Sequence, residues 1–283
     1  MARLVMRLLA ALPLRVLHAL GALLGWLMYL LSPTYRRHLR ANLAQAGFAD
    51  AALRRAVIAS AGKMIAELPA VWMRPRDEVM RLVKSFDEQG LIAAARADGR
   101  RIVFLTPHQG CFEITAQAIA EHVPITVMYR PPKLAFLGPL TVEGRAKRNV
   151  RLAIADLSGV REMLAALKRG ETVGILPDQV PGAGEGDWAD FFGRPAYTMT
   201  LAMKLARRPD TVALLVFGER LPCGEGYAIH IGRLPEALPG ESDARLLNRA
   251  LEAQLRACPA QYLWGYNRYK RPRGAPPPPE RAA

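Results

Sequence analysis

The chain has 283 residues, 51% of them hydrophobic, which suits one large domain with a substantial core. Its formal net charge is +14, and residues 1–50 and 266–283 together supply nine of those charges. Charge concentrated at the two ends favours a membrane-facing rim over a uniformly basic cleft, so we predict no nucleic-acid partner. The three cysteines, Cys111, Cys223 and Cys258, are odd in number and form no C-x-x-C pair. This argues against a disulfide framework and favours a reducing cytoplasm.

An apolar run over residues 16–31 makes the N-terminus a candidate membrane segment. As a helix it is roughly 24 Å long, slightly short of a hydrocarbon core of about 30 Å. Arginines flank both ends of the run instead of marking one side of a membrane: Arg3, Arg7, Arg15, Arg36, Arg37 and Arg40. We predict that residues 1–33 are a membrane anchor, monotopic or single-pass, with the monotopic form favoured. A buried core helix is the alternative.

Beyond this anchor, hydrophobic periodicity predicts alternating strands and helices. Helical spacing extends from residue 49 to about 73, where Arg74-Pro75-Arg76 ends it. Further helices are predicted at 88–97, 159–168 and 246–257, and strands at 82–86, 102–105, 125–129, 152–155, 172–176, 212–217 and 227–231. The last strand is predicted at an edge, with His230 facing out. This alternation of strands and helices predicts an α/β fold with a mostly parallel central sheet flanked by helices.

One stretch places a titratable pair at the end of a predicted strand. Residues 102–105 are continuously apolar, which is typical of a strand buried on both faces. Pro107 ends the strand because it cannot donate to a ladder. His108 then lies in the strand-to-helix turn, where open α/β sheets bind their ligands. Gly110 supplies a bend that would let Glu113 reach back to the histidine.

The pair of His108 and Glu113 has the chemistry of a general base. The carboxylate would fix the imidazole tautomer and stabilise the imidazolium, so the histidine could take a proton from a hydroxyl near neutral pH. Cys111 lies between them and is either a thiol nucleophile or a small buried residue at the strand–helix junction. A histidine with a glutamate five residues on also occurs without any function.

Three further polar residues follow predicted strands. Arg130 can hold a phosphate bidentately, or it is a surface arginine without a role. Asp178, followed by Gln179, can orient an arginine or a water, or it is a plain turn carboxylate. The Gly-rich loop at 180–186 has neither the P-loop lysine nor dinucleotide-binding spacing. No Cys/His cluster with ligand spacing accompanies His108, so we predict no cofactor and no metal.

Several segments, in this order along the chain, resemble the glycerol-phosphate acyltransferase superfamily and, within it, the late acyltransferases of lipid A biosynthesis, the lauroyl and myristoyl transferase family. The matching segments lie at 40–43, 106–113, 129–131, 159–161, 176–179 with 191–193, and 261–264. The chain departs from the family pattern at Cys111-Phe112, where Asn-Trp is usual. The acid–base pair is untouched, so the departure bears on acyl length and acceptor more than on reaction type.

The resemblance implies an O-acyltransferase of lipopolysaccharide biosynthesis at the cytoplasmic face of the inner membrane. It implies an acyl donor on acyl carrier protein and, as acceptor, a hydroxyl of an acyl chain on an anionic lipid A precursor. His108 would be the base and Glu113 its orienting carboxylate, with direct attack on the thioester and no acyl-enzyme. The residues expected to bind substrate are Arg130, Arg161, Asp178 and Gln179.

The chain is predicted to form one catalytic domain between the N-terminal anchor and a C-terminal tail. Residues 34–270 are predicted to form the acyltransferase domain and residues 271–283 a disordered Pro-rich tail. Three aromatic residues line the acyl channel, face the membrane or pack in the core: Trp188, Phe191 and Phe192. Alternative functions are acyl transfer to another glycolipid or a lysophospholipid, and non-catalytic lipid binding on the same fold. A nucleic-acid binder is suggested only by the net charge and is disfavoured, because the chain carries no recognised nucleic-acid-binding motif.

Overall fold

The structure, a computed structural model, describes residues 1–279 except 89, 133, 135 and 136. Its α-helices are α1 (Ala2–Ala10), α2 (Leu14–Leu31), α3 (Pro33–Gln45), α4 (Ala51–Ala66), α5 (Leu68–Met73), α6 (Arg76–Met80), α7 (Gly90–Ala97), α8 (Phe112–Ile119), α9 (Gly138–Arg145), α10 (Leu157–Lys168), α11 (Leu201–Ala206) and α12 (Asp243–Ala257). Its strands are β1 (Val83–Phe86), β2 (Arg101–Leu105), β3 (Ile125–Tyr129), β4 (Val150–Ile154), β5 (Thr172–Ile175), β6 (Gly186–Phe191), β7 (Arg194–Met199), β8 (Thr211–Arg220) and β9 (Tyr227–Arg233).

Seven strands form one sheet in the order β1-β9-β8-β2-β5-β3-β4. Strands β8, β2, β5, β3 and β4 are mutually parallel, whereas β9 runs antiparallel to β8. The predicted mostly parallel α/β sheet is confirmed. The prediction of an edge position for β9 is wrong, because β1 pairs with its outer side. On β9, His230 is partly exposed and lies between Asp87 and Glu219, at 2.9 and 2.8 Å.

Helices cover both faces of the sheet, as the apolar run in β2 predicts. The side chains of Val103 and Leu105 pack into one hydrophobic cluster, together with residues of α10 and α12. Those of Ile102 and Phe104 point the other way, into a cluster with residues of α5, α7 and α8. All four side chains are fully buried. Period-two alternation of side chains therefore divides the core into two layers, one on each face of the sheet.

The predicted anchor helix α2 packs along α4. At their contact a Cβ on Gly62 would lie 1.9 Å from the carbonyl oxygen of Gly21, so neither backbone position leaves room for a larger residue there. Both α2 and the segment Ala51–Met73 are long and apolar enough to cross a membrane. The side of α2 away from α4 carries leucines that are 45% to 79% exposed: Leu20, Leu23, Leu27, Leu30 and Leu31.

A buried charge network joins α2 to the sheet. Arg220, at the end of β8, donates from Nε and Nη2 to the carboxylate of Glu67, each at 2.8 Å, and from Nη1 to Ser60. Tyr227 donates to the same carboxylate, and His18 of α2 lies 3.3 Å from it. Burial raises the pKa of Glu67, but Arg220 and His18 outweigh burial and lower the pKa to about 2.

Two regions in the second half of the chain add contacts that no periodicity predicted. Strands β6 and β7 form an antiparallel hairpin outside the main sheet. Residues 271–279 contain no helix or strand, yet Ala275 is buried against Val180 and Tyr197. Residues 280–283 of the predicted tail lie outside the described part of the chain. Disorder of the tail and the domain limits stay predictions.

Candidate active site

The turn that carries His108 is fixed by backbone contacts from two other parts of the chain. Gly110 has φ +59°, and a Cβ there would lie 2.0 Å from the carbonyl oxygen of Gly218, so the glycine is required. The Gly110 N–H donates to the Gln261 carbonyl at 2.9 Å, and the Leu263 N–H donates to the His108 carbonyl at 3.0 Å. The predicted bend at Gly110 is confirmed, and the segment around residue 262 holds it in place.

The carboxylate that contacts His108 is that of Asp178. The ring Nδ1 lies 2.8 Å from Asp178 Oδ1, and the His108 backbone N–H donates to Oδ2 at 3.0 Å. Strands β2 and β5 are neighbours with Leu105 opposite Ile175, and both His108 and Asp178 come three residues later. The parallel register thus brings the two side chains to the same level beyond the sheet edge.

The expected pairing of His108 with Glu113 is wrong in this structure. Glu113 lies in the first turn of α8 and accepts hydrogen bonds from Arg145 of α9, with Nε 3.0 Å from both carboxylate oxygens and Nη2 also donating. Trp72 Nε1 donates to the same carboxylate at 3.1 Å. The physical reason for the error is that a neighbouring strand supplies a carboxylate within hydrogen-bond distance of His108, while Glu113 is paired with the partly exposed guanidinium of Arg145.

These contacts determine which nitrogen of His108 can accept a proton. Burial raises the pKa of Asp178, but the charge of His108 and the hydrogen bonds from its ring and backbone hold that pKa below its usual value. An ionised carboxylate only accepts, so Nδ1 carries the hydrogen and Nε2 is the free base. Gln179 Nε2 lies 3.2 Å from His108 Nε2, on the side away from Asp178.

Cys111 is a buried structural residue. Its side chain is 1% exposed in the cluster beneath α8. Burial, with Glu67 nearby, raises the pKa of its thiol well above the usual value, so the thiolate is not populated at neutral pH. Of the two interpretations of Cys111, the geometry favours packing at the strand–helix junction.

A cavity of about 630 Å³ opens beside His108. Its inner part is an apolar groove between α8 and the sheet, lined by Ala116, Ile119, Ile125, Val127, Val150 and Leu152. Its mouth, at the carboxyl ends of the strands, is lined by charged side chains from several elements: Arg130, Asp156, Glu185 and Lys204.

The structure brings most, but not all, of the expected site residues to this cavity. His108, Glu113, Arg130 and Gln179 line it, whereas Asp178 stands behind His108. Arg161 is exposed on α10 and lies outside the lining.

The three aromatic residues suggested for an acyl channel do not line the cavity. Phe191 and Phe192 are buried in the cluster with α12, and Trp188 packs on Tyr197. Core packing is therefore the correct alternative for the two phenylalanines.

Sequence reasoning missed Arg145, Trp72 and Lys204. They lie on helices without a recognisable motif, and only tertiary contacts bring the first two to Glu113. The contact between Asp178 and His108 could have been predicted from the sequence. Pro107-His108 and Pro177-Asp178 each follow a predicted strand at equal spacing, which places both side chains at one level if the strands are neighbours.

Comparisons with known proteins identify the family of this chain. The family model described as bacterial lipid A biosynthesis acyltransferase matches residues 1–271. A lipid A biosynthesis lauroyltransferase from Escherichia coli (strain K12) is 28% identical over 223 residues, 77% of this chain and 72% of the relative. A palmitoleoyltransferase from the same strain is 27% identical over 216 residues, 75% of this chain and 69% of the relative. The chain belongs to the bacterial lipid A biosynthesis acyltransferase family.

Proposed function

We propose that this acyltransferase moves a fatty acyl chain from acyl carrier protein to a hydroxyl of an anionic lipid A precursor, at the cytoplasmic face of the inner membrane. The observation that carries the proposal is the Asp178–His108 pair at the cavity wall, with Nε2 of the histidine unprotonated and beside the Gln179 amide. Family membership supports the reaction class and the acceptor.

In this mechanism His108 is the general base and Asp178 its orienting carboxylate. Nε2 removes the proton of the acceptor hydroxyl while the Nδ1–H bond to Asp178 stabilises the imidazolium. The alkoxide attacks the thioester carbonyl carbon and the C–S bond breaks. The leaving thiolate then takes the proton from the imidazolium. The raised thiol pKa of Cys111 supports direct transfer without an acyl-enzyme.

Glu113 takes a different role from the one expected on sequence. Its contacts with Arg145 and Trp72 fix a guanidinium in the cavity wall, where it can stabilise negative charge that develops on the thioester oxygen. The Gln179 amide, 3.2 Å from His108 Nε2, helps to hold the imidazole in place. Glu113 is therefore a positioning residue for a cation and does not orient the base.

Cations around the cavity mouth support an anionic substrate. Arg130 and Lys204 line the mouth, and Arg161 is exposed on α10. None of the three forms an ion pair with another described residue, so their charge is available to a phosphate or to an acidic carrier protein. The exposed leucines of α2, with arginines before and after that helix, support attachment to a membrane.

The proposal is tested with His108→Ala, Asp178→Asn and the double variant, assayed with acyl carrier protein thioesters and a lipid A precursor. A general base contributes roughly 10²–10⁴-fold, so His108→Ala should lower turnover by about that factor. Asp178→Asn should also lower turnover. The double variant should lose far less turnover than the product of the two single-variant losses, because the residues act as a unit.

The matched control is His122→Ala, an exposed histidine outside the cavity, which should leave turnover unchanged. Thermal unfolding of each variant separates loss of catalysis from loss of folding. A folded His108→Ala enzyme with undiminished turnover would contradict the assignment.

A further inference from the structure

The apolar groove is built from two transverse rows of side chains on one face of the sheet. The upper row, across β2, β5, β3 and β4, is Phe104, Gly174, Val127 and Leu152. In the row below, Thr172, Ile125 and Val150 are in register across β5, β3 and β4. Two residues of strand separate the rows, a step of roughly 6–7 Å away from the sheet edge where His108 lies.

Helix α8 covers only part of these rows. It packs against β8 and contacts β3, and its apolar residues share a cluster with the fully buried Ile102 and Phe104 of β2. Its contact with β3 does not close the groove, because Val127 and Leu152 remain partly exposed and line the cavity. Ile125 and Val150 are 2% and 5% exposed and line the far end of the groove.

Gly174 keeps the groove open where it passes the centre of the sheet. A glycine inside a central strand forgoes side-chain packing and often marks a close approach of another group to the backbone. A Cβ at this position would meet only side-chain ends, Ile125 Cδ1 at 3.2 Å and Val127 Cγ2 at 3.4 Å. A larger side chain would therefore extend into the groove.

We propose that this groove holds the straight acyl chain of the donor and that Gly174, Ile125 and Val150 set its length. The inference rests on the proposed function. Gly174 leaves room for the acyl chain to pass along the sheet. Ile125 and Val150 form the floor of the groove, which the methyl end of the acyl chain contacts.

The donor fits better than the acceptor. A donor acyl chain has its reacting carbon at one end, so it needs one unbranched apolar path that starts beside His108. An acceptor hydroxyl on a chain joined to a sugar carries bulk on both sides of the reacting atom. Bulk of that kind suits the wide, charged mouth lined by Arg130 and Lys204.

The first test is Gly174→Val, assayed with acyl carrier protein thioesters from decanoyl to stearoyl and one fixed acceptor. One methylene more or less in an apolar pocket changes kcat/KM by roughly 10–200-fold. We expect the ratio of kcat/KM for palmitoyl to that for decanoyl to fall at least about tenfold.

The opposite change is made at the floor. Ile125→Ala and Val150→Ala should raise the same ratio by about the same factor, because they lengthen the groove. Val173→Ala is the matched control: it lies next to Gly174 on β5, and its side chain packs on the other face of the sheet. Its ratio should match that of the wild type. If Gly174→Val does not fold, the chain-length profiles of Gly174→Ala, Ile125→Ala and Val150→Ala still test the inference.

A folded, active Gly174→Val with the wild-type profile, together with unchanged profiles of the floor variants, would overturn the inference. A profile that shifts only when the acceptor's own chain is varied would also overturn it, since the acceptor would then occupy the groove. Native mass spectrometry of protein incubated with mixed fatty acids, from decanoate to stearate, reports chain selection without transfer. Chain selection by a wild-type protein that transfers no acyl chain would refute the proposed function alone.

Discussion

Two buried carboxylates, Glu67 and Asp178, stay ionised because a cation or an imidazole contacts each of them. Glu67 contacts Arg220 and Asp178 contacts His108, and in both cases the partner outweighs the effect of burial on the carboxyl pKa. For Cys111 the effect of burial prevails: it raises the thiol pKa well above its usual value despite the charge of Arg220, so the thiol stays protonated. Whether a buried group is charged therefore depends on its partners: Glu67 and Asp178 are ionised, whereas Cys111 is neutral.

The pH dependence of stability should reflect Glu67. Its pKa falls from the ordinary 4.5 to about 2 on folding, so its stabilisation is fully present above pH 4.5 and is lost as pH falls towards 2. We expect the free energy of unfolding, measured in urea, to fall more steeply over this range in the wild type than in Glu67→Gln.

Glu67→Gln should also cost about 3–5 kcal/mol near neutral pH, because it leaves the Arg220 charge buried without a partner. Glu67→Gln with Arg220→Met is the control and should recover much of that loss. Equal stability of the single and double variants would show that the unpaired charge is not the cause.

Cys111→Ala should leave turnover within about twofold of the wild type, because the buried thiol takes no part in direct acyl transfer. The small cavity created should cost about 1 kcal/mol of stability. Steady-state kinetics and thermal unfolding check both points. Loss of turnover in a folded Cys111→Ala enzyme, with a covalent acyl adduct on the wild-type protein in mass spectrometry, would instead establish an acyl-enzyme.

At the scale of elements, α2 is both a packed helix and an exposed apolar one. One face contacts α4 through glycines and supplies His18 to the buried network, so α2 belongs to the catalytic domain's packing. The other face leaves a line of leucines exposed. Deletion of residues 1–31 would confound the two roles, because it would uncover α4 as well as remove the leucines.

Charged substitutions on the exposed face separate these roles. Leu23→Glu with Leu27→Glu should release much of the protein from anionic vesicles, since each charge makes insertion of the helix face costly, while thermal unfolding stays close to that of the wild type. The control is Leu238→Glu, an exposed leucine outside α2, which should remain bound. Full retention of the double variant at high salt would identify another surface as the anchor.

At the scale of the whole molecule, the net charge of +14 acts through its distribution. The buried Arg220 and the partly exposed Arg145 are paired with carboxylates. Arg130 and Lys204 at the cavity mouth and Arg161 on α10 form no ion pair within the described part of the chain, so they remain available to an approaching anion. Long-range attraction between exposed charges raises association rates and weakens with salt.

Salt should therefore weaken capture of an acidic carrier protein. We expect KM for an acyl carrier protein donor to rise between about 0.01 M and 0.15 M salt, where the screening length falls from roughly 30 to 8 Å. The same acyl group on pantetheine, without the carrier protein, should show a much smaller change. Equal salt dependence of the two donors would contradict electrostatic docking of the carrier.

Local chemistry in the sequence determined much of the fold. Apolar runs with proline after them predicted β2 and β5, and Gly110 marked the bend because its left-handed backbone excludes other residues. These signals depend only on neighbouring residues, so they can be read without tertiary information. The same holds for the apolar character of α2.

Tertiary structure alone decided which residues meet. The strand order made β5 the neighbour of β2, and this placed Asp178 on His108 and left Glu113 to Arg145. It also decided that one face of α2 is packed and that Gly174 opens a groove under α8. Sequence spacing describes distance along the chain, whereas strand pairing and helix packing join residues far apart in it, and the chemistry of this site depends on those pairings.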